Sequence, residues 1–359
     1  MLSMHGRDMG GDQVTEAVAG AVALLRPVAG RDWSVPAGSL EWSVRQTVEH
    51  IADDLVKYAG RLAVCARDRR AGFELKVEDE TDNEGLLQMV EMTAALLAAT
   101  VRSAPPRARA FHPYPFGSAD RTGFAAMGVA EVLLHTYDAA AGLGLAYEPP
   151  GDLCTAVLTR LFPHVRPGAD PWQTLLWATG RTALPDRPRL TEWRWSNNLV
   201  IPAERLTLTG LTPASAAELA AGGTGGFEWV EGGPYEGTRE AAGMLVKAYE
   251  AGVHRPEWGV FVLVREEDGR AVGGMGFHGP PGEEDRAEIG YDLAEAARGH
   301  GYATEALRAL SAWALARDDV KSLFAVVDRT NLPSQAVVSR AGFTRVSADG
   351  ERFAYELRG

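Results

Sequence analysis

Apolar residues recur every three to four positions through the first half of the chain and at every second position through much of the second. In the run from Ser43 to Ala63, Val44, Val48, Ile51, Leu55 and Leu62 form one stripe, the signature of a helix with one buried face. The same period predicts helices over 14–25, 86–101 and 123–144, the last closing on Gly142-Leu143-Gly144, and shorter ones over 153–162 and 172–180. Six helices with apolar stripes read as a helical bundle. From about residue 203 the texture changes. "RLTLTGL", "WGVFVLVRE", "RAVGGMGFHG", "RAEIGYDLA", "VKSLFAVVD", "FTRVSA" and "RFAYELR" read as strands, and helical runs such as "SAAELAAG", "REAAGMLVKAYEAG" and "SQAVVSRAG" lie between them. The Asp-Gly of "EDGR" predicts a hairpin turn. This half is an α+β domain with a mixed sheet. The boundary falls in "SNNLVIPAE", residues 196–204, which leaves domains at 1–196 and 203–359, with no internal repeat and no low-complexity segment.

Composition narrows the class. A length of 359 residues suits two domains, and 46 % hydrophobic with 23 % charged residues is ordinary for a globular protein. The net charge of −12, without basic blocks, argues against nucleic-acid and membrane-surface partners. Cys65 and Cys154 both fall in apolar helical patterns and read as buried, reduced thiols of a cytoplasmic protein. The opening "MLSMHGRDMGGDQ" lacks the apolar core of a signal peptide, and no apolar run approaches the roughly 20 residues that span a bilayer. The richness in Ala, Gly and Arg suggests a high-GC, actinobacterial genome.

One stretch of the second half departs from propensity. "ARGHGYATEAL", residues 297–307, sets Gly299 and Gly301 directly before a helix-forming run and behind Arg298. Glycine inside a helix costs about 1 kcal/mol relative to alanine. At a helix start, however, it lets an anion approach N–H groups that carry about half a positive charge. A strand ending near Leu293, this loop and the helix together make a phosphate cradle, or else an ordinary loop. Arg298-x-x-Gly301-x-Ala303 resembles the R/Q-x-x-G-x-G/A signature of the GNAT family of N-acetyltransferases. "EIGYDLAEAARGHGYATEAL" and "DRTNLPSQAVVSRAGF" are similar to the RimJ/RimL-type branch, which acetylates protein N-termini and small amines. The resemblance covers residues 203–359. It implies a GNAT fold whose splayed strands hold acetyl-CoA. The pyrophosphate would lie on the N–H groups of Gly299, Gly301, Tyr302 and Ala303, with Arg298, His300 and Thr304 in the same run. The pantetheine arm would pair along Tyr291, Asp292 and Leu293, with Asn331 as a further ligand and Ser334 as donor to the departing thiolate.

Direct acyl transfer needs a neutral amine, a base for its proton and a donor to the thiolate. Glu288, on the central strand, is a candidate base acting through water, or a carboxylate in a cross-strand surface pair. His278, at the end of the preceding strand, is a second candidate. Asn331 could serve only as a helix cap, and Tyr302 reads as packing rather than as an acid.

The helical half carries its own polar residues. His50 lies off the apolar stripe of its helix, in line with Thr47 and Asp54, and Glu131 and His135 share a helix face at i and i+4. Two imidazoles and a carboxylate from two helices suit a divalent ion with an open position. "HTYD" could simply place His135 and Asp138 at a polar helix edge; Tyr137 and Asp138 follow His135 too closely to share its face and are not assigned as ligands, and Arg181 is a candidate for an anionic substrate or a surface residue at a helix end. "RDWSVPAGSLEWSVRQTVEHIADDL", "VAEVLLHTYDAAAGLGL" and "LLWATGR" resemble the DinB-like, mycothiol-dependent maleylpyruvate isomerase family over about residues 10–190. That resemblance implies a four-helix bundle with a metal, zinc or another divalent ion, on His50, Glu131 and His135.

The reading that follows is acetyl-CoA-dependent N-acetylation of a small-molecule or peptide amine, with an accessory metal-binding domain. A metal-dependent transferase or isomerase using a low-molecular-weight thiol, with an attached GNAT domain, is the alternative. A ligand-binding sensor without chemistry is a third.

Overall fold

A computed structural model describes residues 9–66, 72–105, 108–112, 118–165, 168–193, 195–197 and 199–359. Most of the opening segment read against a signal peptide, residues 1–8, lies outside the described residues. The chain divides into two compact units, 1–197 and 198–359.

In the first unit, α1 (Gly11–Leu25), α2 (Val44–Val64), α3 (Asn83–Ser103) and α4 (Arg121–Gly142) pack against one another, and α5 (Gly151–Leu161) and α6 (Pro171–Ala178) follow. A short ladder of β1 (Arg109–Ala110) and β2 (Ala119–Asp120) precedes α4. Local chemistry sets the helix starts. Ser43 Oγ accepts from the Gln46 N–H at 3.2 Å while Gln46 Oε1 accepts from the Ser43 N–H at 2.9 Å, a reciprocal cap on α2. Asp120 caps α4 through the Gly123 N–H at 2.7 Å and is itself held by Arg160 at 2.8 Å. The stripe Val44, Val48, Ile51, Leu55 and Leu62 is buried. Helix α4 is buried on almost every side from Gly123 to Leu134, so Glu131 enters the interior on it. Helix α3 is, by length and composition, apolar enough to cross a membrane, contrary to the sequence reading; Leu86, Leu87, Val90, Ala94 and Leu97 bury one of its faces in the bundle core. Cys154 is buried, whereas Cys65 ends α2 in a left-handed conformation (φ 49°) and is half-buried; both thiols are free.

The second unit is an eight-stranded sheet in the order β3-β4-β5-β6-β7-β8-β10-β9. Its strands are β3 (Val200–Pro202), β4 (Leu206–Gly210), β5 (Val260–Arg265), β6 (Ala271–Phe277), β7 (Arg286–Leu293), β8 (Ser322–Asp328), β9 (Thr344–Asp349) and β10 (Arg352–Arg358). Part of the segment read as linker is therefore an edge strand: β3 pairs with β4. Helices α7 (Pro213–Ala220), α8 (Glu236–Glu250), α9 (Tyr302–Leu315) and α10 (Leu332–Arg340) complete the unit. All neighbouring strands are antiparallel except β7 and β8. That parallel pair runs only from Arg286↔Ser322 to Glu288↔Phe324, after which the strands part, while β7 stays paired to β6 as far as Leu293. Phe261, Leu263, Leu307 and Leu310 are fully buried beneath the sheet and α9. Each stabilises the unit by about 1.5–3 kcal/mol.

Candidate functional site

The bundle brings the three predicted ligands together. One ligand atom from each of His50, Glu131 and His135 lies within 4.8 Å of the others. Glu131 Oε2 is 3.2 Å from His135 Nε2 and 3.8 Å from His50 Nε2. Ligands about 2.0–2.2 Å from one zinc ion stand some 3–3.5 Å apart, so the cluster fits a small divalent cation after slight contraction. His135 presents Nε2 because its Nδ1 is engaged by Asp138 Oδ2 at 3.1 Å, and Asp138 is gripped in turn by Arg181 at 2.7 and 3.1 Å. A carboxylate on the far nitrogen is how metal-binding imidazoles are commonly oriented. Asp138 therefore shares a face with His135 after all, as i and i+3, and buttresses it instead of reaching the metal position. Arg181 is half-buried on the cavity wall, with Nε and one amino group of its guanidinium on Asp138.

Burial and charge set the protonation of this cluster. Burial pushes the His50 imidazole below its usual range, reinforced by His135. Burial also disfavours charge on Glu131, yet the hydrogen bond from His135 and the nearby imidazoles outweigh it and hold the carboxyl low. Tyr58 adds a hydroxyl donor to Glu131 Oε1 at 3.2 Å. On His135 burial is overcome by the hydrogen bonds to Asp138 and Glu131, which raise it to about 9. Asp54, 3.3 Å from His50 Nε2, is pushed up to about 7 by burial and by the Glu131 charge. The cluster borders a cavity of about 830 Å³ whose wall includes Trp42, Trp193 and Trp195 with Arg189. Trp42 lies against His50, ring centroids 4.8 Å apart.

In the second unit the parting of β7 from β8 opens a cleft of about 440 Å³ lined by Ile289 to Asp292, Ala325 to Asp328, Asn331 and Ser334, with α8 on its other side. At the end of β7 the chain turns through Gly299 (φ 79°) and Gly301 (φ 82°), conformations that disfavour a side chain. The space a Cβ would fill is open at Gly299, and at Gly301 only the tip of Arg205 comes near, at 3.5 Å. Gly301 is the N-cap of α9 and supplies no side-chain cap. The other helices of this unit are capped: Thr212 caps α7, Asn331 caps α10, and Asp292 reaches from β7 to the Thr238 N–H of α8 at 2.7 Å. An uncapped helix start with two left-handed glycines fits a phosphate group.

The remaining predicted residues lie around this cleft. The Arg298 guanidinium bonds the Leu293 carbonyl at 3.3 Å and stacks on Tyr235. His300 and Tyr302 stack at 5.7 Å, Arg205 covers the Tyr302 ring, and Tyr302 is buried as packing. Ala303 is buried in the first turn of α9, with Thr304 half-buried beside it. Asn331 Oδ1 accepts from the Ser334 N–H at 3.1 Å, so its oxygen is occupied as a cap. Asp292 likewise spends its carboxylate on Thr238 and on the Gly274 N–H at 3.2 Å, leaving only backbone for a pantetheine arm. Glu288 and His278 face each other, Oε1 to Nδ1, at 3.2 Å.

Residues 205–344 match the model of the acetyltransferase (GNAT) domain. The second unit is a GNAT domain. Residues 14–140 match the model of the mycothiol maleylpyruvate isomerase N-terminal domain, so the chain joins these two kinds of unit. Among curated proteins, the uncharacterised N-acetyltransferase YjdG of Bacillus subtilis is 36 % identical over 83 residues, 23 % of this chain. That match spans 49 % of YjdG, about half its length. Among solved structures, an acetyltransferase of Agrobacterium tumefaciens is 27 % identical over 47 % of this chain and 100 % of its own, with a TM-score of 0.33. Mycobacterium smegmatis RimJ, in complex with CoA-disulfide, is 20 % identical over 44 % of this chain and 87 % of its own, with a TM-score of 0.32.

Sequence reading did not anticipate the Tyr58 hydroxyl on Glu131, the Asp138–Arg181 pair behind His135, or the Asp292 cap within the GNAT unit. Only the "HTYD" spacing hinted at any of them. Tyr58 and Glu131, like Asp292 and Thr238, come from elements far apart in sequence and met only through packing.

Proposed function

We propose that this protein transfers an acetyl group from acetyl-CoA to a primary amine, on a small molecule or a peptide N-terminus, by direct attack of the amine on the thioester. One observation carries the reading: β7 leaves β8 after Glu288 and runs, with that edge unpaired, to a helix whose start carries two left-handed glycines and no side-chain cap. The edge from Ile289 to Leu293 suits the amides of the pantetheine arm, and the N–H groups of Gly299, Gly301, Tyr302 and Ala303, with Arg298 behind them, suit the pyrophosphate. Ser334, at the start of α10, lines the cleft and would donate to the thiolate. Glu288 and His278 are the bases nearest the point of splay. The YjdG relative supports acetyl transfer in general. Calorimetry with acetyl-CoA, followed by thiol release on adding amines, tests the reading; absence of acetyl-CoA binding would overturn it.

The cluster in the first unit favours a second activity. His50, Glu131 and His135 would hold a divalent ion, zinc by ligand type, and such an ion lowers the pKa of a bound thiol or water. Trp42 and Arg189 would border the entry of a low-molecular-weight thiol or its partner substrate. Bound zinc together with turnover of such a thiol would support this reading, and tight ligand binding without turnover would make the unit a sensor.

A further inference from the structure

We infer that His278 and Glu288 work as a dyad, with His278 Nε2 accepting the proton of the acceptor amine and Glu288 acting as the positioning residue that holds the ring. The inference rests on the acetyl-transfer reading and decides between its two candidate bases. The two residues are cross-strand neighbours at the ends of β6 and β7, joined through the backbone by the His278 N–H to the Glu288 carbonyl at 3.0 Å. Their side chains meet at Nδ1 and Oε1, 3.2 Å apart. Because an ionised carboxylate only accepts, Nδ1 is the donor, and whenever the ring is neutral Nε2 is its bare nitrogen.

The ring then lies along β7 toward Gly290, two residues on and on the same face of the strand. A Cβ built at Gly290 would come within 3.0 Å of His278 Nε2. The glycine therefore leaves room for the imidazole at the place where β7, having left β8 after Glu288, opens the cleft. His278 lines both that cleft and a smaller hollow of about 390 Å³ behind it, whereas Glu288 lines only the hollow. The carboxylate is thus one group removed from the cleft, and the imidazole borders it.

Most other charged groups that line the cleft and the hollow are already engaged. Arg286, across the hollow, pairs with Glu284 and Glu356 and stacks on Phe324. From α8 comes the exposed Glu240; from β7 comes Asp292, committed to Thr238 and Gly274; from β8 comes Asp328, committed to Thr330.

In the step itself, the amine nitrogen bonds to the acyl carbon and the carbon–sulfur bond breaks, its electron pair leaving on sulfur. The amine proton passes to His278 Nε2, and the thiolate, hydrogen-bonded by Ser334, takes a proton from water, which the imidazolium replaces as it returns to the neutral ring. Glu288 stabilises the resulting imidazolium through Nδ1–H.

Two measurements test the dyad without knowledge of the acceptor. Histidine-selective ¹⁵N NMR at about pH 8.5, some two units above the ordinary imidazole pKa, should report His278 in the Nδ1–H tautomer, and Glu288→Gln should shift that tautomer. Carbethoxylation of His278, followed by peptide mass, should be slowed at least tenfold by saturating acetyl-CoA in the wild-type protein. An Nε2–H tautomer, or a labelling rate unchanged by bound acetyl-CoA, would overturn the dyad. Loss of acetyl-CoA binding in a calorimetric control would instead remove the acetyl-transfer reading, and the tautomer would still report on the pair.

Discussion

The two candidate sites are built from opposite materials. The bundle cluster is made of side chains: three donors on two helices, two of them held by further side chains, Glu131 by Tyr58 and His135 by Asp138 with Arg181. The GNAT cleft is made of backbone: an unpaired strand edge, two left-handed glycines and an uncapped helix start, while Asp292 and Asp328 on its wall are spent on Thr238 and Thr330. A side-chain site fails when one donor is truncated, because the remaining groups cannot replace it. A backbone site tolerates truncation and fails when a side chain is added where the chain must stay bare.

Variants at each site test that contrast. His50→Ala should lower zinc affinity more than about a hundredfold, beyond the 10–100-fold that loss of an outer partner causes. Metal analysis of protein prepared without chelators measures it. A wild-type protein holding less than about a tenth of an equivalent, with no gain on adding zinc, would break the comparison at its first term. Asp138→Asn keeps the shape but weakens the acceptor on His135 Nδ1, and should cost about 10–100-fold in zinc affinity by chelator competition. An unchanged affinity would mean that Asp138 serves only Arg181.

The cleft should respond to bulk. Gly301→Val places a branched side chain at φ 82° over the α9 N–H groups. Acetyl-CoA affinity by calorimetry should fall at least about tenfold, roughly 1.4 kcal/mol, with the helical unit still folded. Wild-type affinity would remove the cradle from the account. Ser334→Ala should lower kcat with little change in the KM for acetyl-CoA, because donation to sulfur matters in the transition state. Thiolates leave readily, so the loss should be about tenfold, smaller than is usual for a general acid. A rise in KM at constant kcat would make Ser334 a binding residue. The smallest effect belongs to a side chain in structural use: Asp292→Ala removes the tertiary cap of α8 and should destabilise the GNAT unit by about 1–2 kcal/mol, read as a lower Tm. A large loss of acetyl-CoA affinity at an unchanged Tm would give Asp292 back to the cofactor.

Whatever depends on neighbours along the chain was legible in the residue order. Period 3.6 against period 2 separated a helical unit from a sheet unit, because only those spacings put apolar groups on one face. The i, i+4 spacing put Glu131 and His135 side by side, and Gly299 and Gly301 marked a place where Cβ atoms are unwelcome. Tertiary structure alone decided how distant residues meet. Arg181 reaches Asp138 across 43 positions, and Asp292 caps α8 across 54. Gly290 clears the ring of His278 only because β6 and β7 pair in one register, and β7 frees its edge only because β8 is hydrogen-bonded to it no further than Glu288. Register and helix packing are set by the fit of whole faces, a sum over many weak contacts that no short stretch of sequence contains.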